Sequence, residues 1–258
     1  MALKIFITGA SSGIGEALAA HYASRGATLG LTARRGEVLA SLNQRLGGRH
    51  ACYPLDVTDA PALRAAADDF IARFGAPDIV IANAGVSVGT LTEHLEDIDV
   101  IRRVMEVNVV GLAATFAPFI AAMRAAGGTA DRRLVGIASV AGIRGLPGSG
   151  AYSASKAAAI AYLESLRLEM RPTGIKVVTI APSYIATPMT AVNPYPMPFL
   201  MPVAKAAARF AAAIERGVSY TVIPWPMGIV AKLLRLLPNW LYDRLFVNAP
   251  HKPRGLLK

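Results

Sequence analysis

The sequence has one cysteine, few charged residues and a shortage of acidic side chains. Cys52 has no partner in the chain, so an internal disulfide and a disulfide-rich secreted scaffold are excluded, and we expect a cytoplasmic location. Charged residues make up only 17% of the 258 positions and hydrophobic residues 53%, which excludes an intrinsically disordered chain.

No segment is typical of export or of membrane insertion. Residues 1–7 form an apolar run without the charged start and small-residue cleavage site of a signal peptide. No apolar run reaches about 18 residues, and Lys232, Arg235 and Pro238 interrupt the richest one. We therefore expect neither a signal peptide nor a transmembrane helix.

Basic residues exceed acidic ones by 27 to 17, which gives the chain a net charge of +10. Such a balance is typical of proteins that bind nucleic acid, an anionic membrane surface or an anionic cofactor. No recognised nucleic-acid-binding motif accompanies the charge, so we expect no nucleic acid partner.

Short apolar runs alternate with longer alanine-rich segments. The runs predicted as strands are Leu3–Ile7, Thr28–Thr32, Ile79–Ala82, Leu134–Ala138, Lys176–Ile180 and Tyr220–Ile223. The segments predicted as helices are Ile14–Ser24, Ala60–Phe74, Asp97–Ala126, Tyr152–Met170 and Pro202–Arg216. This alternation predicts one α/β domain with a parallel sheet covered by helices on both faces.

A glycine-rich segment, Thr8–Gly15, joins the first predicted strand to the first helix. Glycines let a backbone approach a pyrophosphate, and a helix N-terminus offers free N–H donors. The G-x-x-x-G-x-G spacing differs from the usual dinucleotide pattern G-x-G-x-x-G. An NAD site places a carboxylate after the second strand, but Arg34 and Arg35 stand there, which favours NADP(H). The alternative is that both arginines only face solvent.

Tyr152 and Lys156 stand four residues apart in a predicted helix, which places their side chains one turn apart on the same face. A cation beside a phenol stabilises phenolate, so we expect the pKa of Tyr152 to lie below its usual value of about 10. Ser139 follows a predicted strand, and the glycine-rich loop after it is flexible enough to bring its hydroxyl alongside Tyr152. Alone, a Tyr-x-x-x-Lys spacing is common in helices.

Taken together, these features resemble the classical short-chain dehydrogenase/reductase family over roughly residues 1–224. The motifs that carry the resemblance are Thr8–Gly15, Asp56-Val57, Asn83-Ala84-Gly85, Asn108, Ser139, Tyr152–Lys156 and Pro182–Pro188. The resemblance implies one Rossmann-like domain, a doubly wound parallel sheet of about seven strands in three α/β/α layers. It also implies a substrate lid at about residues 188–202, and residues 225–258 follow as a C-terminal extension.

The resemblance implies catalytic roles for four residues. Tyr152 would protonate the carbonyl oxygen as hydride arrives from the nicotinamide. Lys156 would lower the pKa of Tyr152 and hold the nicotinamide ribose. Ser139 would hydrogen-bond the substrate oxygen, and Asn108 would help to position a water between Lys156 and solvent. Without the resemblance, Asn108 reads as an ordinary polar residue of a helix.

The resemblance also implies a cofactor site, and we expect no metal ion. Asp56 and Val57 would flank the adenine, Asn83 and Gly85 would form the wall behind the ribose, and Thr187 would contact the nicotinamide amide. Asn83 is equally typical of a turn at a strand end. The expected cofactor-binding residues are Gly9, Ser11, Ser12, Gly13, Ile14, Gly15, Arg34, Arg35, Asp56, Val57, Asn83, Ala84, Gly85, Tyr152, Lys156, Pro182, Ile185 and Thr187.

Two residues depart from the family's usual pattern. Ser183 follows Pro182 where glycine is frequent, and serine lacks the conformational freedom of glycine, which leaves the loop geometry open. Ser12 stands where NADP-dependent members often carry a basic residue. The preference for NADP(H) therefore rests on Arg34, with help from Arg35.

The lid segment, residues 188–202, contains five prolines and three methionines, so we expect no long regular element there. Methionine is apolar and adaptable, which favours an apolar, bulky or lipid-like carbonyl or alcohol as the substrate. The alternative is an ordinary irregular surface loop.

The C-terminal extension is basic and amphipathic, since residues 218–258 carry six basic residues and one acidic residue, a net charge of +5. On a helix expected over Gly228–Leu237, Lys232 and Arg235 face away from an apolar stripe. The stripe consists of Ile229, Val230, Leu233, Leu234 and Leu237. Packing on the domain or on a neighbouring subunit is the favoured interpretation, and peripheral membrane contact through residues 225–247 is the alternative.

Three functions remain open. The favoured one is an NADP(H)-dependent oxidoreductase that transfers hydride between the nicotinamide and a carbonyl or alcohol group. Epimerisation or dehydration through a transient hydride is disfavoured, because the chain is short for the family's extended members. A non-catalytic NADP-binding or redox-sensing module has no need of Ser139, Tyr152 and Lys156 together. The resemblance further implies a homodimer or homotetramer formed through helices near residues 97–126 and 152–170.

Overall fold

The computed structural model describes residues 2–126 and 131–255. The strands are β1 (Lys4–Thr8), β2 (Thr28–Ala33), β3 (Ala51–Pro54), β4 (Ile79–Ala82), β5 (Arg133–Ile137), β6 (Lys176–Pro182), β7 (Ile185–Ala186), β8 (Met201–Pro202) and β9 (Tyr220–Ile223). Seven of them form one parallel sheet in the order β3-β2-β1-β4-β5-β6-β9, and β7 pairs with β8. The chain winds outward from β1 in both directions, which confirms the predicted doubly wound fold.

The helices lie between these strands and after them. They are α1 (Gly13–Ala23), α2 (Gly36–Arg45), α3 (Ala60–Phe74), α4 (Asp97–Met105), α5 (Gly111–Ala125), α6 (Gly150–Met170), α7 (Pro188–Ala191), α8 (Val203–Arg216), α9 (Trp225–Leu236) and α10 (Asn239–Phe246). A π-helical stretch, Glu106–Val110, joins α4 to α5, so this pair follows the single helix that the sequence predicts.

Alternate residues of β1 point to opposite faces of the sheet and enter two separate cores. Ile5 and Ile7 pack with apolar residues of α1, α2 and α8. Phe6 packs on the other face, with its ring centre 5.7 Å from that of Phe70 in α3 and 4.7 Å from that of Phe119 in α5. Helices therefore cover both faces, as the predicted three-layer α/β/α arrangement requires.

Strand β3 and helix α2 have no counterpart among the predicted runs, and neither have the short elements β7, α7, β8 and α10. Strand β3 is a four-residue edge strand, A-C-Y-P, with no run of β-branched residues to mark it. Helix α2 buries only Leu39 and Leu42, so its apolar periodicity is weak. In the lid, α7 and β8 are the only regular elements and both are short, as its prolines predict.

Within the described residues, one helical segment, Asp97–Ala125, is long and apolar enough to cross a membrane by length and composition alone, although no membrane-spanning helix is predicted from the sequence. That prediction requires an uninterrupted apolar run, whereas mean hydropathy tolerates isolated charged residues. The most apolar 18-residue window of the segment is 44% buried. Phe116 and Phe119 within it are fully buried against the sheet.

Only part of the apolar stripe expected on the C-terminal helix packs on the domain, where Leu234 and Leu237 are half-buried. Helix α9 also faces the domain with small residues: Ala231 is buried, and a Cβ atom on Gly228 would lie 3.1 Å from Val222 Cβ of β9. Ile229 and Leu233 of the stripe are exposed. Contact of these side chains with a subunit or a membrane stays a prediction, and Lys258 of the basic extension lies outside the described residues.

Candidate active site

A cavity of about 310 Å³ opens at the carboxyl ends of the central strands. All the expected catalytic and cofactor-binding residues line it except Gly15 and Asn108. Three further lining residues, Pro188, Met189 and Thr190, belong to the predicted lid, and those that no site prediction names are Ala33, Leu55, Val86, Val107, Ile137, Ala138 and Ser183. Most of them are direct neighbours of motif residues, which is the only signal that the sequence offers for them.

The glycine-rich segment brings the end of β1 into close contact with α1. Gly9 adopts a φ of +68°, which favours glycine, and a Cβ atom on Gly15 would lie only 2.2 Å from Gly9 O. Gly15 therefore permits the close packing and does not itself face the cavity. Ser12, the N-cap of α1, makes no side-chain capping bond, so the first N–H groups of the helix are left to bind an anion.

Asn83 fastens the loop after β4 to the end of β1. Its Nδ2 donates to Thr8 O at 3.0 Å and to Gly9 O at 3.3 Å, while its backbone N donates to Thr8 Oγ1. Asn83 therefore has the role of a residue at a strand end, and it also lines the cavity. Its place behind the ribose stays a prediction.

Arg34 and Arg35 are exposed at the mouth of the cavity, directly after β2. Arg35 Nη2 donates to Ser11 Oγ at 3.3 Å, which links the second strand end to the glycine-rich segment. Both guanidinium groups therefore lie at the edge of the cavity that the N-terminus of α1 also lines.

Asp56 is held by Thr58 and Arg103, two residues that no sequence motif indicates. Its Oδ1 accepts from the backbone N and Oγ1 of Thr58, and its Oδ2 accepts from Arg103 Nη2 at 2.6 Å. Burial acts to raise the pKa of Asp56, but the hydrogen bonds from Thr58 and Arg103 outweigh it and hold the pKa below its usual value. Arg103 lies on α4, and no motif marks it.

The catalytic candidates meet on one wall of the cavity. Ser139 caps a short 3₁₀ turn, Val140–Gly142, and its Oγ accepts from Ala141 N at 3.2 Å. Lys156 Nζ lies 5.8 Å from the centre of the Tyr152 ring. The same ammonium group is buried and donates to Ile137 O at 2.9 Å.

Burial has the largest effect on the pKa values of Tyr152 and Lys156. It raises the pKa of Tyr152, and the hydrogen bond with Ser139 offsets only part of that effect. It also lowers the pKa of Lys156 to about 8. The expected lowering of the Tyr152 pKa is therefore wrong for this structure, because Lys156 directs its ammonium group to Ile137 O and desolvation of the phenol prevails.

Asn108 lies outside the cavity, in the π-helical stretch between α4 and α5. Its Oδ1 accepts from Val86 N at 2.8 Å, and its Nδ2 donates to Val86 O at 2.9 Å and to Ser155 Oγ at 2.9 Å. It thus ties the loop after β4 to α6 and acts as a positioning residue. The expected link to a water stays a prediction.

The loop after β6 accommodates serine at position 183, where glycine is frequent in the family. Among residues 2–126 and 131–255, Phe199 is the one non-glycine residue with a positive φ, so Ser183 needs no glycine-like conformation. Its Oγ is buried and has no hydrogen-bond partner in the described part of the chain, although the residue lines the cavity. An unpaired hydroxyl, the uncapped α1 and the exposed arginines together fit a dinucleotide.

Comparisons with known proteins agree with this geometry. The sequence matches the short chain dehydrogenase family over residues 4–195. The chain belongs to this family. The dehydrogenase is 38% identical to an uncharacterized oxidoreductase of Myxococcus xanthus, over 92% of this chain and 93% of that one. It is 33% identical to the 11-beta-hydroxysteroid dehydrogenase-like 2 protein of Arabidopsis thaliana, over 95% and 82% of the two chains.

A solved structure shows a similar fold. A short chain dehydrogenase from Burkholderia cenocepacia, in complex with NADP, superposes with a TM-score of 0.81 and 27% identity, over 95% of this chain and 97% of that one. The predicted family and fold are thereby confirmed. The chain is an oxidoreductase that acts on CH–OH or C=O groups with a nicotinamide cofactor.

Proposed function

We propose that this dehydrogenase is an NADP(H)-dependent carbonyl reductase, running in reverse on alcohols, with Tyr152 as its general acid and base. The observation that carries the proposal is the meeting of Ser139, Tyr152 and Lys156 on one wall of the cavity. The bound nicotinamide supplies or accepts the hydride. Tyr152 donates its phenolic proton to the carbonyl oxygen, and Ser139 Oγ holds that oxygen by a hydrogen bond. The Lys156 ammonium group keeps a positive charge near the phenolate that forms.

The preference for NADP(H) over NAD(H) is supported by charge. Arg34 and Arg35 stand exposed at the end of β2, where an NAD site would place a carboxylate. The carboxylate of Asp56, further along the cavity, already pairs with Arg103. A guanidinium group in this position favours a 2′-phosphate.

An apolar, bulky carbonyl compound is the substrate class that the cavity favours. Pro188 and Met189 of the lid line it, and Val86 and Val107 line it as well. One relative is named for an 11-beta-hydroxysteroid, a large and mostly apolar molecule, which supports the same class.

A panel of aldehydes and ketones graded by apolar surface tests the proposal, with NADPH oxidation as the readout and NADH as the second cofactor. Turnover that is faster with NADPH and rises with apolar surface is the expected result. Tight NADPH binding with no turnover across the panel would favour the non-catalytic module. Product formation without net NADPH consumption would favour an epimerase or dehydratase.

We also propose that α9 and α10 contact an anionic lipid surface, which makes the expected location cytoplasmic with a membrane-peripheral fraction. Exposed apolar side chains on these helices include Leu236, 80% exposed, and Trp240, 70% exposed. The cations beside them are Lys232, Arg235 and Arg244.

The charge pattern favours a membrane over a second copy as the occupant of this face. A two-fold contact would bring these like charges together, whereas anionic lipid complements them. Tryptophan is also typical of membrane interfaces. A homodimer or homotetramer formed through helices near 97–126 and 152–170 stays a separate prediction, which the molecular mass in solution tests.

A further inference from the structure

The last described residues, 250–255, form a strap that crosses from α10 over two loops of the cavity. Gly89 N donates to Pro253 O at 3.1 Å, and a Cβ atom on Gly89 would lie 2.0 Å from Lys252 O. A Cβ atom on Gly148 would lie 2.2 Å from His251 Cβ. Both loops thus carry glycine where the strap touches them, and any other residue would force the strap away.

Arg254 anchors the far end of the strap to the start of α4. Its Nε donates to Asp97 Oδ2 at 2.9 Å and its Nη2 to Asp97 Oδ1 at 3.1 Å, a bidentate pair, with Glu96 Oε1 at 3.0 Å as a third acceptor. Asp97 is buried and also accepts from Leu91 N. Bidentate pairing fixes the geometry of both groups, so the path of the strap is well defined.

Lys252, between these contacts, connects two walls of the cavity. Its side chain is buried, and Nζ donates to Met189 O at 2.8 Å and to Ser87 Oγ at 3.2 Å. Met189 belongs to the lid and lines the cavity, and Ser87 follows Val86, which also lines it. No carboxylate forms a salt bridge with Lys252 among residues 2–126 and 131–255. Its buried charge is therefore balanced by hydrogen bonds alone, which are directional.

We propose that Lys252 is a positioning residue that holds the substrate lid against the loop after β4. By fixing Met189 relative to Val86, it sets the width of the substrate end of the cavity and hence the affinity for substrate. The kinetic part of this inference rests on the proposed function, whereas the ordering of the lid does not.

The test compares Lys252→Met with Lys205→Met, a control that removes an exposed cation from α8. Methionine keeps the apolar length of the side chain and cannot donate. In Lys252→Met, backbone amides of residues 188–202 should exchange with deuterium about 10-fold faster or more, while those of β1 and β4 stay at wild-type rates. The substrate KM should rise about 10-fold with kcat and NADPH affinity nearly unchanged, and Lys252→Arg should restore part of the affinity.

If the lid amides of Lys252→Met exchange at the wild-type rate, the proposal is overturned. It is also overturned if exchange becomes faster evenly over the whole molecule. If Lys252→Met does not fold, Arg254→Met carries the test, since Arg254 is partly exposed and its loss frees the end of the strap. Faster lid exchange is then expected, and a lid at wild-type rates would again overturn the proposal. If no carbonyl compound is turned over, the proposed function fails, but the exchange result still decides the role of Lys252.

Discussion

Lys156 Nζ lies 5.8 Å from the centre of the Tyr152 ring, one helical turn away, and donates its hydrogen bond to Ile137 O. Burial moves the two pKa values in opposite directions, since it raises that of Tyr152 and lowers that of Lys156 to about 8. At neutral pH the phenol is therefore protonated and the amine is mostly charged. A general acid must start in its protonated form, so this arrangement is prepared for carbonyl reduction.

Removal of the Tyr152 hydroxyl should abolish turnover and spare cofactor binding. Tyr152→Phe keeps the ring, so NADPH should still bind with nearly wild-type affinity, while kcat falls by about 10²- to 10⁴-fold, the usual contribution of a general acid. Stopped-flow NADPH oxidation and cofactor fluorescence measure the two effects. Tyr162→Phe, in the same helix but away from the cavity lining, is the matched control. Wild-type activity in Tyr152→Phe would remove Tyr152 from the mechanism.

The buried Lys156 should make stability depend on pH. Its pKa is about 8 in the folded state and about 10.4 when unfolded, so the unfolded chain binds more protons between these values. The free energy of unfolding therefore rises with pH in this window, by up to about 1.4 kcal/mol per pH unit. Below pH 8 the amine is charged in both states, and the full cost of its burial remains.

Lys156→Met isolates this effect, because the other titratable groups are unchanged and Tyr152, whose pKa is raised, stays protonated in this window in both proteins. Relative to wild type, the variant should be most favoured near neutral pH, and its advantage should shrink from about pH 8 towards pH 10. Denaturant unfolding at a series of pH values measures the difference. A difference that stays constant with pH would contradict the lowered pKa of Lys156.

Loss of Arg34 and Arg35 should change the cofactor preference. Hydrogen bonds to a charged group contribute about 1.5–3 kcal/mol, so the double substitution to alanine should raise the KM for NADPH by about 10- to 100-fold. The KM for NADH, which has no 2′-phosphate, should stay within a few-fold of wild type. Arg49→Ala removes an exposed arginine elsewhere and serves as the control. Equal effects on both cofactors would indicate that the two arginines only face solvent.

The sequence predicts the cavity well because its motifs sit at strand ends. In a parallel sheet, the residues that follow β1, β4 and β5 meet at one edge. The sequence alone therefore predicts that Gly9, Asn83 and Ser139 lie close together. The contacts of the strap could not be predicted in this way. Lys252 lies 165 residues from Ser87 in the sequence, and their contact depends on the path that the C-terminal segment takes. The predicted lowering of the Tyr152 pKa is wrong because the four-residue spacing of Tyr152 and Lys156 indicates neither how deeply they are buried nor where the ammonium group points.

The buried hydroxyl of Ser183 should contribute to ligand binding at the expense of stability. Its Oγ has no partner in the described part of the chain, and an unpaired buried hydroxyl costs about 1–3 kcal/mol. Ser183→Ala should therefore unfold at a higher temperature than wild type in the absence of ligand. NADPH, alone or with substrate, should stabilise the variant less than it stabilises wild type. Unchanged stabilisation by both ligands would show that Ser183 has no role in binding.

The face formed by α9 and α10 should bind anionic vesicles. Trp225 and Leu236 are both exposed on α9, and burial of their side chains in the lipid interface contributes roughly 1.5–3 kcal/mol each. Trp225→Ser with Leu236→Ser should therefore reduce co-sedimentation with phosphatidylglycerol vesicles by at least about 10-fold, while Leu95→Ser, an equally exposed leucine outside this face, should not.

Salt and lipid charge separate the electrostatic part of this binding from the apolar part. Vesicles of phosphatidylcholine alone should retain little protein, and raised salt should release protein from the anionic ones, because Lys232, Arg235 and Arg244 supply the attraction. Equal sedimentation of the double variant and wild type would exclude this face as the contact. If the double variant instead has a lower molecular mass in solution than wild type, the face is a subunit interface, because the substitutions have then released a second copy of the chain.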